Sequence, residues 1–473
     1  MDFEVIIGLE THVELSTKTK IFCSCENSFG GEPNSKCCEV CMGFPGSLPH
    51  LNGKVVEFGV MAGHTFGCDI NTTSYMARKN YVYPDLPKGY QITQGDVPLC
   101  ENGSVMRSNG RTIGSERIHI EEDAGKLIKK DGKILIDYNR AGVPLIEIVT
   151  KPDFRKASEV TEYLTDLALT MKAIKISDCK MQEGSLRCDV NISIRDKESR
   201  KISERTEIKN VNSFSFIEKA IEYEAKRLSE LFESGKKIER ETRRFNSEKN
   251  ITEPMRDKES ASDYRYFIEP DIPSVYISPD DISSLKEKIP PLPREDKMRY
   301  IELGISYDDA FAISKYEAVR TYFNEMIEKG ADAFHASKIM LSSAFRFLPE
   351  DKRETGEILP VADDVLHVLS LISDGKIEIR HDKKIFDKMF ETGLSFDKLF
   401  SESDFAPLSD DELSSVAENV LIGNEKAISD FLSGKEKAIA PLIGKIMKET
   451  SGRADAKKAE EALKKLICSK YKS

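Results

Sequence analysis

Glu10 and His12 stand inside an apolar, strand-patterned run from Val5 to Leu15, where a buried sheet would normally carry aliphatic side chains. Side chains alternate along a strand, so Glu10, His12 and Glu14 share one face about 7 Å apart, and Leu9, Val13 and Leu15 take the other. Later segments repeat the device. Glu147 sits among Pro144, Leu145, Ile146, Ile148 and Val149; Asp189, Asn191 and Ser193 alternate with Cys188, Val190, Ile192 and Ile194; Glu207 shares a face with Lys209. A denser group, Arg117 to Lys126, contains His119 and the adjacent acids Glu121, Glu122 and Asp123. One polar strand face needs only water to explain it. If several converge, their carboxylates repel one another unless a hard divalent cation with oxygen ligands neutralises them, Mg2+ being the default and an imidazole also suiting Mn2+ or Zn2+.

A second constellation has softer ligands. Cys23 and Cys25 form one close pair and Cys38 and Cys41 another, joined by a loop with Gly30, Gly31 and Pro33. Four thiolates at such spacing suit a tetrahedral, structural Zn2+, with Cys37 as a bystander. Other chemistries are missing. There is no P-loop motif, no dinucleotide fingerprint and no nucleophile elbow, and Cys68, Cys100, Cys179 and Cys188 lack the setting of a nucleophile. Any ammonia must therefore come from another chain. What remains is electrostatic catalysis on phosphoryl groups, with Arg78, Lys79, Lys88, Lys126, Arg140, Arg187 and Lys209 as clamp candidates.

These residues need a scaffold. With 473 residues, 39% hydrophobic and 32% charged, the chain has ordinary globular composition and length for two or three domains. The amino-terminal run enters a strand pattern without a secretory leader, and no stretch is long and apolar enough for a membrane span, so a cytoplasmic protein is expected. Ten cysteines, five of them from Cys23 to Cys41, fit metal binding in a reducing compartment. A net charge of −11 excludes indiscriminate coating of nucleic acid but permits a local basic surface, as in the lysine-rich region after Asn424.

Up to about residue 210 short strand-like runs are separated by turn signals such as Asn102-Gly103, Asn109-Gly110 and Asp131-Gly132, which predicts hairpins and an antiparallel sheet. A helix is expected after Ser213, with Ile217, Ile221, Leu228 and Leu231 on one face and Gly235 as its stop. Prolines 290, 291 and 293 mark the main boundary, beyond which the periods are helical. The expected division is a catalytic domain over 1–293 with a zinc-binding insertion, a helical linker domain over 294–407 and a helical tail over 408–473.

The blocks Gly8 to Leu15, Arg78 to Gln91, His119 to Lys126, Asn139 to Glu147, Glu183 to Asn191 and Lys209 to Phe214, in order, resemble the B-subunit (GatB/GatE) family of aspartyl/glutamyl-tRNA amidotransferases. Asp263 to Phe267 and Glu269 to Asp271 extend the likeness, and Gly444, Met447, Lys448, Thr450, Gly452 and Ala454 resemble the family's tRNA-binding tail. The resemblance implies an α+β catalytic domain like that of glutamine synthetase and guanido kinases, followed by all-α domains. It implies a ligase that uses ATP to phosphorylate the side-chain carboxyl of misacylated Glu-tRNA(Gln), Asp-tRNA(Asn) or both. Ammonia would arrive from a glutaminase A subunit within a heterotrimer that also contains a small C subunit.

By that likeness His12, Glu122 and Glu147 would hold one Mg2+, Glu10, Asp189 and Glu207 a second, and all six would be catalytic, with Lys79, Lys88, Arg140, Arg187 and Lys209 contacting the nucleotide. Cys37, Glu39 and Ala456 depart from the family's usual pattern, and none falls on these ligands. The archaeal E subunits carry a large inserted domain for which 473 residues leave no room. A zinc-stabilised tRNA scaffold with a dead acidic face is the alternative of another class, and the presence of all six acidic and imidazole positions argues against it.

Overall fold

In the computed structural model, residues 2–255, 264–450 and 452–471 are described, so Asp263 lies outside them. The chain separates into two compact units, Met1–Glu295 and Asp296–Ser473. The first is mixed α/β, built on a nine-stranded sheet. In chain order its strands are β1 (Phe3–Glu14), β2 (Asp69–Ile70), β3 (Cys100–Met106), β4 (Thr112–Glu122), β5 (Pro144–Thr150), β6 (Leu186–Asp196), β7 (Thr206–Lys209), β8 (Glu241–Asn246) and β9 (Ile251–Pro254). Their spatial order is β9-β8-β7-β6-β1-β5-β4-β3-β2. Neighbours run antiparallel except β7 and β8, which are parallel. The expected antiparallel-rich sheet followed by helices is therefore present.

Alternation along the central strands separates two faces. Ile7, Leu9 and Val13 of β1, Val190 and Ile192 of β6, Ile146 and Ile148 of β5 and Ile118 and Ile120 of β4 are all buried in one core. That face is covered by helices α1 (Gly53–Thr65), α2 (Ala157–Ala173) and α3 (Phe214–Glu233). The Ser213 hydroxyl caps α3 by accepting from the Phe216 N–H, as the sequence predicts. Helix α1 is not legible in the same way, because it is apolar on nearly all sides, with Val55, Val56, Phe58, Val60, Met61 and Ala62 buried. It lies close to its neighbours at two glycines. A Cβ on Gly59 would stand 2.4 Å from Leu99 Cδ2, and one on Gly63 2.5 Å from Cys100 Sγ.

The second unit is helical from Asp296 onwards. One hydrophobic cluster joins Tyr300, Phe323, Met340, Phe386 and Phe396, and a separate one joins Leu413, Leu442, Ile446, Leu463 and Ile467. The Arg380 guanidinium links the two by donating to the Ala454 carbonyl at 2.6 Å and to the Arg453 carbonyl at 2.5 Å.

Candidate active site

The register of the sheet assembles the acids. On β1, Glu10 is paired with Asp189 of β6 on one side, while His12 is paired with Arg187 of β6 and with Glu147 of β5. Glu147 is paired in turn with His119 of β4, and Asn191 with Glu207 of β7. Every one of these side chains falls on the sheet face opposite the helices. Two acidic groups result, side by side across β1.

In the first group His12 Nε2 lies 3.4 Å from Glu121 Oε1 and 3.5 Å from Glu147 Oε2. His119 Nε2 lies 3.2 Å from Glu147 Oε2 and 3.7 Å from Glu121 Oε2. Burial opposes a charged imidazole at His12, but hydrogen bonds with Glu121 and Glu147 outweigh it and lift its pKa to about 10. The same balance lifts His119 to about 9. Glu121, although buried, is held at about 2 by the two imidazoles. His119 Nδ1 is buried without a hydrogen-bond partner.

Glu121, and not Glu122, meets His12 and Glu147. Alternation sends Glu122 to the other face of β4, where its carboxylate accepts from Lys88 Nζ at 2.6 Å and from the Ile92 N–H at 2.8 Å. The expected set His12, Glu122, Glu147 is corrected accordingly. The signal was available: Glu121 is two residues from His119 and shares its face, whereas Glu122 does not.

In the second group the carboxylates of Glu10, Asp189 and Glu207 offer oxygens within 4.8 Å of one another. Lys209 Nζ sits among them, 2.8 Å from Asp189 and 3.0 Å from Glu207. Burial works against its charge, yet the two carboxylates raise its pKa. Asn191 Nδ2 donates to Glu10 Oε1 at 2.9 Å, and Asn191 Oδ1 is buried without a partner. Three convergent carboxylates with an orphaned amide oxygen beside them form an all-oxygen donor set of the type hard divalent cations take. The first group, two carboxylates with an imidazole, also fits such an ion. The sequence marks Asn191 by its facing only.

The remaining cations are distributed around these groups. Arg187 donates to Asp123 Oδ2 at 2.8 Å, and Arg140 Nε lies 3.2 Å from the same atom. Glu14 joins them, its carboxyl raised to about 8 by burial and by the Asp123 carboxylate, against the pull of Arg187 and Arg140. Lys88 is committed to Glu122. Arg78 Nε lies 2.6 Å from Glu269 Oε2. Lys79 Nζ lies 4.9 Å from the ring centre of Tyr264.

The thiols gather as a separate site. Cys23, Cys25, Cys38 and Cys41 present sulfurs within 4.8 Å of one another. Cys41 is the most acidic, at about 4, stabilised first by the Cys23 thiol and then, against burial, by the Cys38 N–H and Lys20. Lys20 is buried, with Nζ 3.8 Å from Cys41 Sγ. Cys37 stays outside the set, 3.8 Å from Asn139 Oδ1. No described cysteine is in a disulfide. Four convergent sulfurs beside a buried cation fit a closed tetrahedral zinc shell.

Residues 5–283 match the GatB/GatE catalytic domain and residues 321–467 match the GatB domain. The chain is 44% identical over 475 residues to a Caldicellulosiruptor saccharolyticus protein, covering 98% of this chain and 99% of the relative. It is 45% identical over 461 residues to a Clostridium kluyveri protein, covering 96% and 97%. Both relatives are named as the B subunit of an aspartyl/glutamyl-tRNA(Asn/Gln) amidotransferase.

Proposed function

We infer the function from one premise: this chain belongs to the GatB/GatE family. It is an amidotransferase subunit of the ligase type and acts in tRNA-dependent amidation, converting misacylated Glu-tRNA(Gln), Asp-tRNA(Asn) or both into the correctly amidated products. The observation that carries the reading is the pairing of two acidic groups on one sheet face, Glu10 with Asp189 and His12 with Glu147, directly across β1.

A carboxylate is a poor electrophile. ATP, as substrate, converts it to an acyl phosphate by transferring its terminal phosphoryl group to a side-chain oxygen and leaving ADP. Ammonia then attacks the carbonyl carbon, the carbon–oxygen bond to phosphate breaks, and phosphate and a proton depart. Divalent cations such as Mg2+, when bound, neutralise the phosphoryl oxygens. His12, Glu121 and Glu147 would hold one of them and Glu10, Asp189 and Glu207 another. The strands hold these donors in fixed register, so little reorganisation is needed at the moment of transfer. Arg187, anchored on Asp123 and placed next to His12, supplies positive charge to the substrate's carboxylate and phosphate oxygens. Lys209 offsets part of the negative charge of the second acidic group by pairing with Asp189 and Glu207.

The finer parts of the reading are the likeness to glutamine synthetase and guanido kinases, supported by an antiparallel sheet that presents its acids on one face, and a heterotrimer with a glutaminase A subunit and a small C subunit, supported by the absence of any nucleophile constellation for glutamine hydrolysis in the sequence. The four-cysteine cluster is a structural zinc site, and 408–473 is the tRNA-binding tail. The test is reconstitution with candidate A and C subunits, followed by assay of both misacylated tRNAs with ATP and glutamine. ATP-dependent amidation of at least one is expected. Amidation that proceeds equally without this chain would overturn the assignment.

A further inference from the structure

Three tyrosines beside the first acidic group have no place in the chemistry above. The strand Met76–Asn80 pairs with Phe267–Ile268, and the Asn80 N–H donates to the Tyr264 carbonyl at 2.8 Å. Asn80 Nδ2 adds a second tie, to the Arg265 carbonyl at 2.8 Å. These bonds fix the rings of Tyr81, Tyr264 and Tyr266 edge to face, with centroids 5.7 Å apart for the first pair and 6.2 Å for the second. Lys79 Nζ lies 4.9 Å from the Tyr264 ring centre and 5.9 Å from that of Tyr81, and among the described residues it has no carboxylate partner.

A tyrosine cluster that served only the core would be closed. Here Tyr266 is 52% exposed and Tyr264 38%. The cluster also stands close to the reacting groups: the strand Met76–Asn80 pairs with Tyr90–Gln94, whose Thr93 hydroxyl donates to Glu121 Oε2 at 3.2 Å. In keeping with that placement, the Tyr266 phenol is pushed up by burial and by the carboxylates of Glu121 and Glu147, against Lys79. Ordered π faces with a lysine ammonium over them, next to a site that handles phosphoryl groups, suit a nucleobase better than an aliphatic ligand. Both substrates of the proposed reaction carry an adenosine near the reacting atoms: ATP itself, and the terminal nucleotide of tRNA to which the amino acid is esterified.

We propose that Tyr81, Tyr264 and Tyr266, with Lys79, form a stacking platform for the adenosine of one of these two substrates. The proposal rests on the amidation reading for its choice of ligand. The two sources are separated by binding measurements on the whole heterotrimer carrying Tyr264→Ala and Tyr266→Ala, singly and together, with Phe variants as controls. The probes are ADP against tripolyphosphate, both with Mg2+, and uncharged tRNA ending in CCA against the same tRNA ending in CC.

Alanine is expected to weaken one adenosine-bearing probe by roughly 5-fold to 100-fold, the range for loss of a base–aromatic stack, and to leave its base-lacking counterpart within about twofold. Phenylalanine should keep affinity. Weaker ADP places the nucleotide's base on the platform; weaker CCA-ended tRNA places the terminal adenosine there. Equal losses for both members of a pair, no loss in either pair, or Phe variants as weak as Ala variants would overturn the proposal. A wild-type complex that binds ADP with this tyrosine dependence yet amidates neither tRNA would refute the function and leave the platform standing.

Discussion

Replacing Lys209 by methionine tests whether the lysine and a divalent cation compete for Asp189 and Glu207. Lys209 Nζ makes ion pairs of 2.8 Å with Asp189 and 3.0 Å with Glu207, and its side chain is 36% exposed. Removing one partner from a fully buried pair costs about 3–5 kcal/mol, whereas an exposed pair is worth about 0–1 kcal/mol. A site between these limits, screened by solvent on one side, gives a loss of roughly 1–2 kcal/mol in the metal-free chain. For a unit of this size that is a fall in Tm of about 2–6 °C. Added Mg2+ should close the gap between the two proteins. In the wild type the cation must first evict the ammonium, so the variant should bind Mg2+ about 5-fold to 30-fold more tightly. Thermal unfolding across a Mg2+ titration reads both effects. Equal Tm without metal, or identical Mg2+-induced stabilisation of both proteins, would refute the competition.

Glu4 gives an acid-limb prediction: hydrogen bonds from Arg195 and Arg155 hold its carboxyl at about 2 against the usual 4.5, so its contribution is present above pH 4.5 and lost as pH falls towards 2. Glu4→Gln should flatten urea-unfolding stability across that window by about 1–2 kcal/mol, and an unchanged profile would contradict it. Metal analysis of anaerobically purified protein should find zinc that is lost in Cys25→Ser and retained in Cys37→Ser, with zinc lost equally in both as the contrary result. Deleting residues beyond 408 should weaken tRNA affinity and reduce the salt dependence of binding, and an unchanged slope would remove the tail from the RNA contact.

How far sequence could reach is shown by particular residues. Glu10, His12, Glu147, Asp189 and Glu207 were visible because each interrupts an apolar or alternating strand, and alternation alone puts the members of one strand on a common face. The choice between Glu121 and Glu122 rests on the same alternation, since Glu121 shares the face of His119, and the pairing of His119 with Glu147 brings that face to the first acidic group. Asn191 bonding to Glu10, and Glu14 joining Asp123, depend on neighbours more than a hundred residues away and leave no local mark. The strand-then-helix order followed from hairpin turns and the proline break. Helix α1 did not, because burial on most sides erases the amphipathic period by which a helix is recognised.

The most direct measurement is trapping of the activated carboxyl. With misacylated tRNA, ATP and Mg2+ but no ammonia source, the wild-type complex should yield a side-chain hydroxamate when hydroxylamine is added. Glu10→Ala and Glu147→Ala should yield none while tRNA affinity stays within about twofold. Hydroxamate formed by both variants at the wild-type rate would contradict the claim that the acids facing each other across β1 serve phosphoryl transfer.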